Sequence, residues 1–225
     1  MIKLENKNIQ AVIFDMDGLM FDTEKIYTKT WPMAAEIYGY KVTEDIVVKA
    51  IGLNAESGRM YFESIYGTDF PFYKIRKTRL KIAMDMILTE GLPIKKGLYE
   101  LISFLKDNDI KTAMATSSER ERADKYLSLS SLENTFDCVV CGDEVDKSKP
   151  DPQIFETAAE KTGADTNKCI ILEDSLNGIK AAYNAGTYAF MVPDYFQPDN
   201  EIKSMTYKVF DDLLCVRDFL QNCIY

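Results

Sequence analysis

The stretch Ala11-Val12-Ile13-Phe14-Asp15-Met16-Asp17-Gly18-Leu19 decides the fold. Its four apolar residues, 11–14, are typical of a strand that is buried on both faces. Two aspartates follow at positions i and i+2, so both side chains can project to the same side. Gly18 then supplies a turn. A buried strand that ends in two carboxylates and a turn predicts a functional site at its carboxyl end.

The second half of the chain repeats this strand pattern and alternates it with helical patterns. Apolar, β-branched runs predict strands near 10–14, 111–115, 137–141, 168–172 and 187–192. Helical patterns lie near 97–107, 119–129, 152–162, 175–185 and 211–222. Such alternation is typical of a parallel sheet covered by helices. We therefore predict an α/β fold, a Rossmann-like parallel sheet sandwiched by helices.

The first strand is separated from the others by a long helical segment. Residues 24–90 show helical spacing and no convincing strand. We predict an inserted four-helix cap domain at 24–90, and a core domain built from 1–23 and 91–225.

Composition limits the partners. The chain has 225 residues, 46% of them hydrophobic, and a formal net charge of −9. This charge argues against nucleic acid and anionic membrane as partners. The sequence contains neither an 18-residue apolar run nor the apolar stretch of a signal peptide, so we expect a cytoplasmic protein with no membrane partner. We expect a monomer, because no uncapped apolar repeat indicates an interface.

Histidine and cysteine usage limits the chemistry. The chain contains no histidine, which excludes Ser-His and Cys-His nucleophilic systems and His-bearing zinc sites. Its five cysteines, an odd number, suit reduced thiols better than a disulfide framework. Cys138 and Cys141 have the spacing of a redox pair, but both fall in a predicted strand rather than at a helix start, which indicates a structural role.

Polar residues follow three other predicted strands. Thr116 and Ser117 follow the strand at 111–115, and they would serve as a helix cap or as site hydroxyls. Lys149 lies after the strand at 137–141 and would be either solvated or aimed into a site. Glu173 and Asp174 end the strand at 168–172, where they would complement a helix dipole or join the site.

The carboxyl ends of parallel strands meet at one sheet edge, where ligands bind. We therefore expect these residues to lie near Asp15 and Asp17. Two carboxylates at 4 Å repel by about 4 kcal/mol at an effective dielectric constant of 20. A dication would relieve that repulsion, and an all-oxygen set of ligands selects Mg²⁺. Because Mg²⁺ is often bound together with phosphate, the site predicts phosphoryl chemistry.

Four motifs, in this order, resemble those of the haloacid dehalogenase superfamily. They are DMDGLMFDTE at 15–24, the hydroxyl of Thr116, SKPDPQIF at 148–155 and EDSLNGIKAA at 173–182. The chain looks most similar to the subgroup with a helical cap after the first strand, which includes β-phosphoglucomutase and many sugar-phosphate phosphatases.

The resemblance implies a role for each matching residue. Asp15 would be the nucleophile that forms an aspartyl-phosphate. Asp17 would be the general acid for the leaving group and then the base for water, and its main-chain carbonyl would bind Mg²⁺.

The resemblance also implies how the phosphate and the metal are held. Thr116 and Lys149 would hold phosphoryl oxygens, and Ser117 is expected to join them in binding the substrate. Asp174 would complete the metal site formed with Asp15, and Glu173 would assist it.

The same comparison separates the possible reactions. Family members that cleave carbon–halogen bonds lack the second aspartate, so Asp17 disfavours a dehalogenase. β-Phosphoglucomutases carry a cap arginine for the second phosphate and a histidine after the first motif. Here Ala55 and Tyr27 stand at those positions, and Arg59 lies one helical turn beyond Ala55.

Phosphatase activity on a small phosphorylated metabolite is therefore the predicted function, and Asn54 and Glu56 in the cap are expected to contact the leaving group. A phosphosugar mutase is the alternative, and a non-catalytic protein that binds a phosphate ligand is a third.

Overall fold

The computed structural model describes residues 1–53 and 55–224. The chain divides into two compact units, which we call the sheet unit (Met1–Phe21 with Ile94–Tyr225) and the helical insert (Asp22–Pro93). The first part of the sheet unit ends at Phe21, two residues before the predicted end at 23. The second part begins at Ile94, three residues after the predicted start at 91. Phe21 and Ile94 pair in an antiparallel bridge, so the chain leaves and re-enters the sheet unit at one place.

A six-stranded parallel sheet forms the centre of the sheet unit, in the order β5-β4-β3-β6-β7-β8. Its strands are β3 (Ala11–Phe14), β4 (Lys111–Ala115), β5 (Cys138–Val140), β6 (Cys169–Glu173), β7 (Tyr188–Met191) and β8 (Lys208–Val209). The helices of this unit are α5 (Leu98–Asp107), α6 (Arg120–Leu129), α7 (Gln153–Thr162), α8 (Leu176–Asn184), α9 (Asn200–Met205) and α10 (Leu213–Gln221). Helices α5, α7 and α8 pack directly against the strands. The predicted fold class is confirmed.

The strand register brings the predicted site residues to one edge. Phe14 lies opposite Met114 on one side and Leu172 on the other. The ladder continues past the end of β3, where the Asp15 N–H donates to the Leu172 carbonyl at 3.0 Å. Asp15 is therefore level with the ends of β4 and β6, between the two segments that carry Thr116 and Glu173.

Four short elements escaped the sequence analysis. Strand β8 has two residues, too few to show a period. Strands β1 (Lys3–Leu4) and β2 (Lys7–Asn8) form an antiparallel hairpin. Its turn residues, Glu5 and Asn6, have φ values of 47° and 66°, the left-handed conformation typical of tight hairpins. Helix α9 is also short, at six residues.

In its described residues, the helical insert contains four helices and an aromatic core. The helices are α1 (Glu24–Ile37), α2 (Glu44–Val48), α3 (Ala55–Tyr66) and α4 (Phe72–Glu90). Phe62 stacks on Trp31 with ring centroids 4.6 Å apart and on Phe70 at 5.3 Å. The guanidinium of Arg79 lies 4.2 Å from the ring centroid of Tyr27. Apolar and aromatic contacts thus hold this unit together.

Among the described residues, no helix has both the length and the apolarity needed to cross a membrane.

The prediction that Cys138 and Cys141 share a strand is wrong for Cys141. Strand β5 ends at Val140, and Cys141 begins a 3₁₀ turn at Gly142–Glu144, because its N–H bonds the Glu144 side chain. Burial raises the pKa of Cys141 to about 11. It also raises the pKa of Cys138, so neither thiol is activated for redox exchange.

Candidate active site

Asp15 and Lys149 form a buried ion pair at the end of β3. The Lys149 ammonium donates to Asp15 Oδ1, to Glu173 Oε1 at 2.6 Å and to the Ala115 carbonyl at 3.4 Å. Asp15 is 6% exposed and Lys149 is 7% exposed. The interpretation of Lys149 as a solvated lysine is therefore wrong. The tertiary fold aims it into the carboxyl edge of the sheet, where one ammonium serves two carboxylates.

Asp15 belongs to a cluster of three carboxylates. One carboxylate oxygen from each of Asp15, Glu173 and Asp174 lies within 4.8 Å of the others. An all-oxygen group of this kind suits a hard cation such as Mg²⁺. The structure thus brings together two segments that are far apart in sequence, the end of β3 and the end of β6.

Two glycines make room for these carboxylates. A Cβ on Gly178 would lie 1.8 Å from Glu173 Oε1, and a Cβ on Gly18 would lie 2.2 Å from Asp174 Oδ2. Gly18 also has a φ of +85°, which other residues rarely adopt. Both positions therefore require glycine, and Gly18 serves as more than a turn.

The electrostatics of the site favour a further positive charge. Burial raises the pKa of Asp15 from 3.8 to about 7, while Lys149 opposes the rise and Glu173 adds to it. Burial alone would lower the pKa of Lys149, but the carboxylates of Asp15 and Glu173 raise it. One ammonium therefore does not compensate two buried carboxylates, because desolvation penalises each ionised group.

Glu173 and Asp174 also lie at the start of α8. The Ser175 N–H donates to Glu173 Oε2 at 2.7 Å, and the Ser175 side chain caps the helix by accepting from Gly178 N–H at 3.0 Å. Glu173 therefore accepts a hydrogen bond at the helix start, and its other carboxylate oxygen accepts from Lys149.

Thr116 and Ser117 differ in position. Thr116 is buried, and its Oγ1 accepts from the Ser118 N–H at 3.1 Å, so it does not cap α6. Ser117 is exposed, and a Cβ on Gly142 would lie 2.4 Å from its carbonyl oxygen. Of the two, Thr116 is the hydroxyl held within the sheet edge.

The carboxylate of Asp17 is hydrogen-bonded by residues at the start of α6. Ser118 Oγ donates to Asp17 Oδ2 at 2.6 Å. An Nη2 proton of Arg122 points to the same oxygen at 3.4 Å, and Arg122 also donates to Ser118 Oγ. The sequence analysis assigned no role to Ser118 or Arg122. Their i, i+4 spacing directly after Thr116 is the signal that could have found them.

The predicted cap contacts fall in the helical insert. Glu56 lies in the first turn of α3, pairs with Arg59 at 2.5 Å and accepts from the Tyr73 hydroxyl at 3.1 Å. Asn54 lies outside the described residues. Arg59 also pairs with Glu63, so two carboxylates within its own helix already neutralise it.

Comparison with known proteins agrees with this geometry. The sequence profile of the haloacid dehalogenase-like hydrolases matches residues 12–192. The chain belongs to the haloacid dehalogenase-like hydrolases. That match runs from β3 through β7 and so includes all four motifs.

Two relatives of this hydrolase carry phosphatase names. A "Phosphorylated carbohydrates phosphatase" from Thermotoga maritima is 34% identical over 178 residues, which cover 79% of this chain and 82% of the relative. A "Probable pseudouridine-5'-phosphatase" from Drosophila melanogaster is 33% identical and covers 85% and 86% of the two chains. The hydrolase is therefore an enzyme that cleaves phosphoric monoesters.

A solved structure shows the same fold. The β-phosphoglucomutase from Clostridium difficile superposes with a TM-score of 0.79, at 22% identity, over 95% of this chain and 96% of the other. At that identity the likeness concerns the fold alone.

Proposed function

We propose that this hydrolase is a Mg²⁺-dependent phosphatase that acts on a sugar phosphate or a similar small phosphomonoester through an aspartyl-phosphate on Asp15. The observation that carries the proposal is the buried Asp15 carboxylate, which shares Lys149 with Glu173 in a cluster of three acids. A carboxylate nucleophile divides one difficult displacement into two easier ones.

The acidic cluster fits Mg²⁺. The carboxylates of Asp15 and Asp174 would hold the ion with the main-chain carbonyl of Asp17, and Glu173 would assist from the same cluster. Hydrolases of this family typically use Mg²⁺, and glycines at positions 18 and 178 keep the carboxylates close. Bound there, the ion would neutralise charge on the substrate phosphate and favour the ionised form of Asp15.

The proposed reaction has two steps, the formation of the aspartyl-phosphate and its hydrolysis. An Asp15 carboxylate oxygen bonds to phosphorus while the phosphorus–oxygen bond to the leaving group breaks, and Asp17 passes its proton to the departing oxygen to give the alcohol. Water next bonds to phosphorus and gives its proton to the Asp17 carboxylate. The bond from phosphorus to Asp15 breaks and phosphate leaves. Thr116 and Lys149 hold the phosphoryl oxygens, and the Ser117 hydroxyl joins them in binding the substrate.

The relatives support a sugar phosphate as the substrate class, since one is named for phosphorylated carbohydrates and the other for pseudouridine 5'-phosphate. We assign leaving-group recognition to the helical insert and keep Asn54 and Glu56 as its candidates. Hydrolysis is favoured over mutase activity because Arg59, the alternative anchor for a second phosphate, is neutralised by Glu56 and Glu63.

The proposal is tested with p-nitrophenyl phosphate and glucose 6-phosphate. Phosphate release is expected with Mg²⁺, to be lost in excess EDTA and to fall at least about a thousandfold in Asp15→Asn. Acid-quenched wild type should carry a phosphoryl group on Asp15 by mass spectrometry. Asp165→Asn removes an exposed carboxylate at the amino end of β6 and should leave the rate unchanged.

Three results would contradict the proposal. A fully active Asp15→Asn would exclude the covalent step. Conversion of a hexose 1-phosphate, with a trace of bisphosphate, to the 6-phosphate would indicate a mutase. Binding of phosphate ligands without release from any of a broad panel would indicate a non-catalytic protein. A cytoplasmic monomer stays our prediction, to be checked by fractionation and by light scattering.

A further inference from the structure

Beyond the groups used above, the sheet unit holds a polar chain that ends on Asp17. Arg122 lies in the first turn of α6, and Ser118 lies just before that helix. We propose that Arg122, acting through Ser118, is a positioning residue that orients the Asp17 carboxyl group for proton transfer to the leaving oxygen. This inference rests on the proposed phosphatase function.

The direction of each hydrogen bond is fixed by chemistry. Arginine can only donate, whereas a serine hydroxyl has one proton to give and can also accept. Because Ser118 Oγ accepts from Arg122, its own proton is directed to Asp17 Oδ2, at 2.6 Å. Arg122 thereby fixes the rotation of the serine hydroxyl, and the hydroxyl in turn fixes the carboxyl group.

Both donors address the same oxygen of Asp17. Oδ2 receives the Ser118 hydroxyl and lies 3.4 Å from the Arg122 guanidinium. The network thus holds the Asp17 carboxyl group in one orientation, and a fixed donor position is what makes general acid catalysis effective.

The network is enclosed and tied to the phosphate-binding residue. Ser118 is 2% exposed, and the side chains of Arg122 and Asp17 are 19% and 16% exposed. The Ser118 N–H bonds Thr116 Oγ1 at 3.1 Å. A shift of Ser118 would therefore disturb both Asp17, the proposed general acid, and Thr116, the proposed phosphate ligand.

The quality of the leaving group separates an acid-positioning role from a phosphate-binding role. Breakage of the phosphorus–oxygen bond of glucose 6-phosphate leaves a sugar alkoxide, which needs the Asp17 proton. The p-nitrophenolate ion is stable and leaves without one. A residue that positions the acid therefore matters for the sugar phosphate, whereas a residue that binds the phosphate matters for both substrates equally.

The test is the ratio of kcat/KM for glucose 6-phosphate to kcat/KM for p-nitrophenyl phosphate in wild type, Arg122→Met and Arg122→Lys. This constant includes the steps through formation of the aspartyl-phosphate, so it reports the protonation of the leaving group rather than the later hydrolysis. The ratio also cancels any difference in the amount of folded enzyme. Arg122→Met should lower it at least about tenfold. Arg122→Lys keeps a donor for Ser118 and should restore it to within about threefold of wild type.

Arg120 provides the matched control on the same helix. Its guanidinium binds Glu144 and the Val139 carbonyl, so Arg120→Met should leave the ratio unchanged even if it lowers stability. Equal losses for both substrates in Arg122→Met would overturn the inference and identify Arg122 as a phosphate ligand. A normal ratio in Arg122→Met would also overturn it. If wild type hydrolysed neither substrate, the proposed function would fail first, and this inference with it.

Discussion

The carboxyl edge of the sheet and the core of the helical insert are both buried, but they are built from opposite chemistry. At the sheet edge, the ionisable side chains of Asp15, Lys149 and Glu173 have little exposure to solvent. In the insert, Trp31 and Phe62 belong to a cluster of stacked aromatic rings. The insert gains stability from its own contacts, whereas the carboxylates at the sheet edge repel one another.

The difference shows where the protein gives up stability for function. Burial disfavours the ionised form of each carboxylate, and Asp15 has a raised pKa in spite of its bond to Lys149. Stacked rings incur no such penalty. If this comparison is correct, Mg²⁺ should change the stability of variants at the sheet edge and leave variants of the insert unaffected.

The largest effect in the insert is expected from Phe62→Ala. Phe62 is fully buried and stacks on Trp31 at 4.6 Å, so its loss should lower the free energy of unfolding by about 3–5 kcal/mol. Trp31 is the single tryptophan of the sequence, and its fluorescence therefore reports this unit. Phe62→Leu should show a smaller loss. Recovery of the Trp31 transition on addition of Mg²⁺ would contradict the separation between the two regions.

A comparable loss is expected at the sheet edge from Lys149→Met, but with a different response to metal. Removal of the ammonium leaves Asp15 and Glu173 without their shared partner, at a cost of about 3–5 kcal/mol in metal-free buffer. Mg²⁺ should recover part of this loss in chemical denaturation, since in the proposed site it would compensate the same carboxylates. Lys147→Met, which removes an exposed lysine paired with Asp151, should stay within about 0.5 kcal/mol of wild type.

A smaller effect is expected from a matched pair of helical glycines. In Gly178→Ala the new methyl group would overlap the Glu173 carboxylate, so we expect a loss of about 1–3 kcal/mol and weaker Mg²⁺ binding by calorimetry. In Gly58→Ala the nearest atom is Phe72 Cζ at 3.2 Å. That tight contact opposes the gain in helix propensity, and the net change should be below about 1 kcal/mol. Equal losses in the two variants would mean that the carboxylate of Glu173 is free to move away.

The sequence was sufficient for the fold and for the location of the site. Four apolar strands each end in polar residues, and parallel strands bring such ends together whatever the details of packing. The pattern could not decide between the two interpretations of Lys149, because its partner Asp15 lies 134 positions away in the chain. Only the tertiary fold shows that the lysine is buried.

The features that the sequence analysis missed all depend on contacts that form only in the folded chain. The roles of Ser118 and Arg122 depend on side-chain rotation at the start of α6, and the residue types alone do not encode it. Strand β8 is two residues long and forms because β7 offers a free edge, as the Phe210 N–H bond to the Met191 carbonyl shows. Cys141 leaves its strand because Glu144 captures its N–H.

The smallest effect concerns the pH dependence of stability in the absence of metal. Burial raises the pKa of Asp15 from 3.8 to about 7, so the folded state holds this proton more tightly than the unfolded state. The contribution of this bound proton to the free energy of unfolding is therefore fully present below about pH 4 and is lost as the pH rises toward 7. Asp15→Asn has no such proton to lose. In EDTA, its stability relative to wild type should rise by on the order of 1–2 kcal/mol between about pH 6 and pH 8 in urea denaturation. Saturating Mg²⁺ should reduce this gain, because the cation favours the ionised carboxylate of wild type.

Asp165→Asn, at an exposed site, should follow wild type throughout. A gain that grew toward low pH instead would mean that Lys149 alone keeps Asp15 ionised, and the sheet edge would then need no metal to be stable.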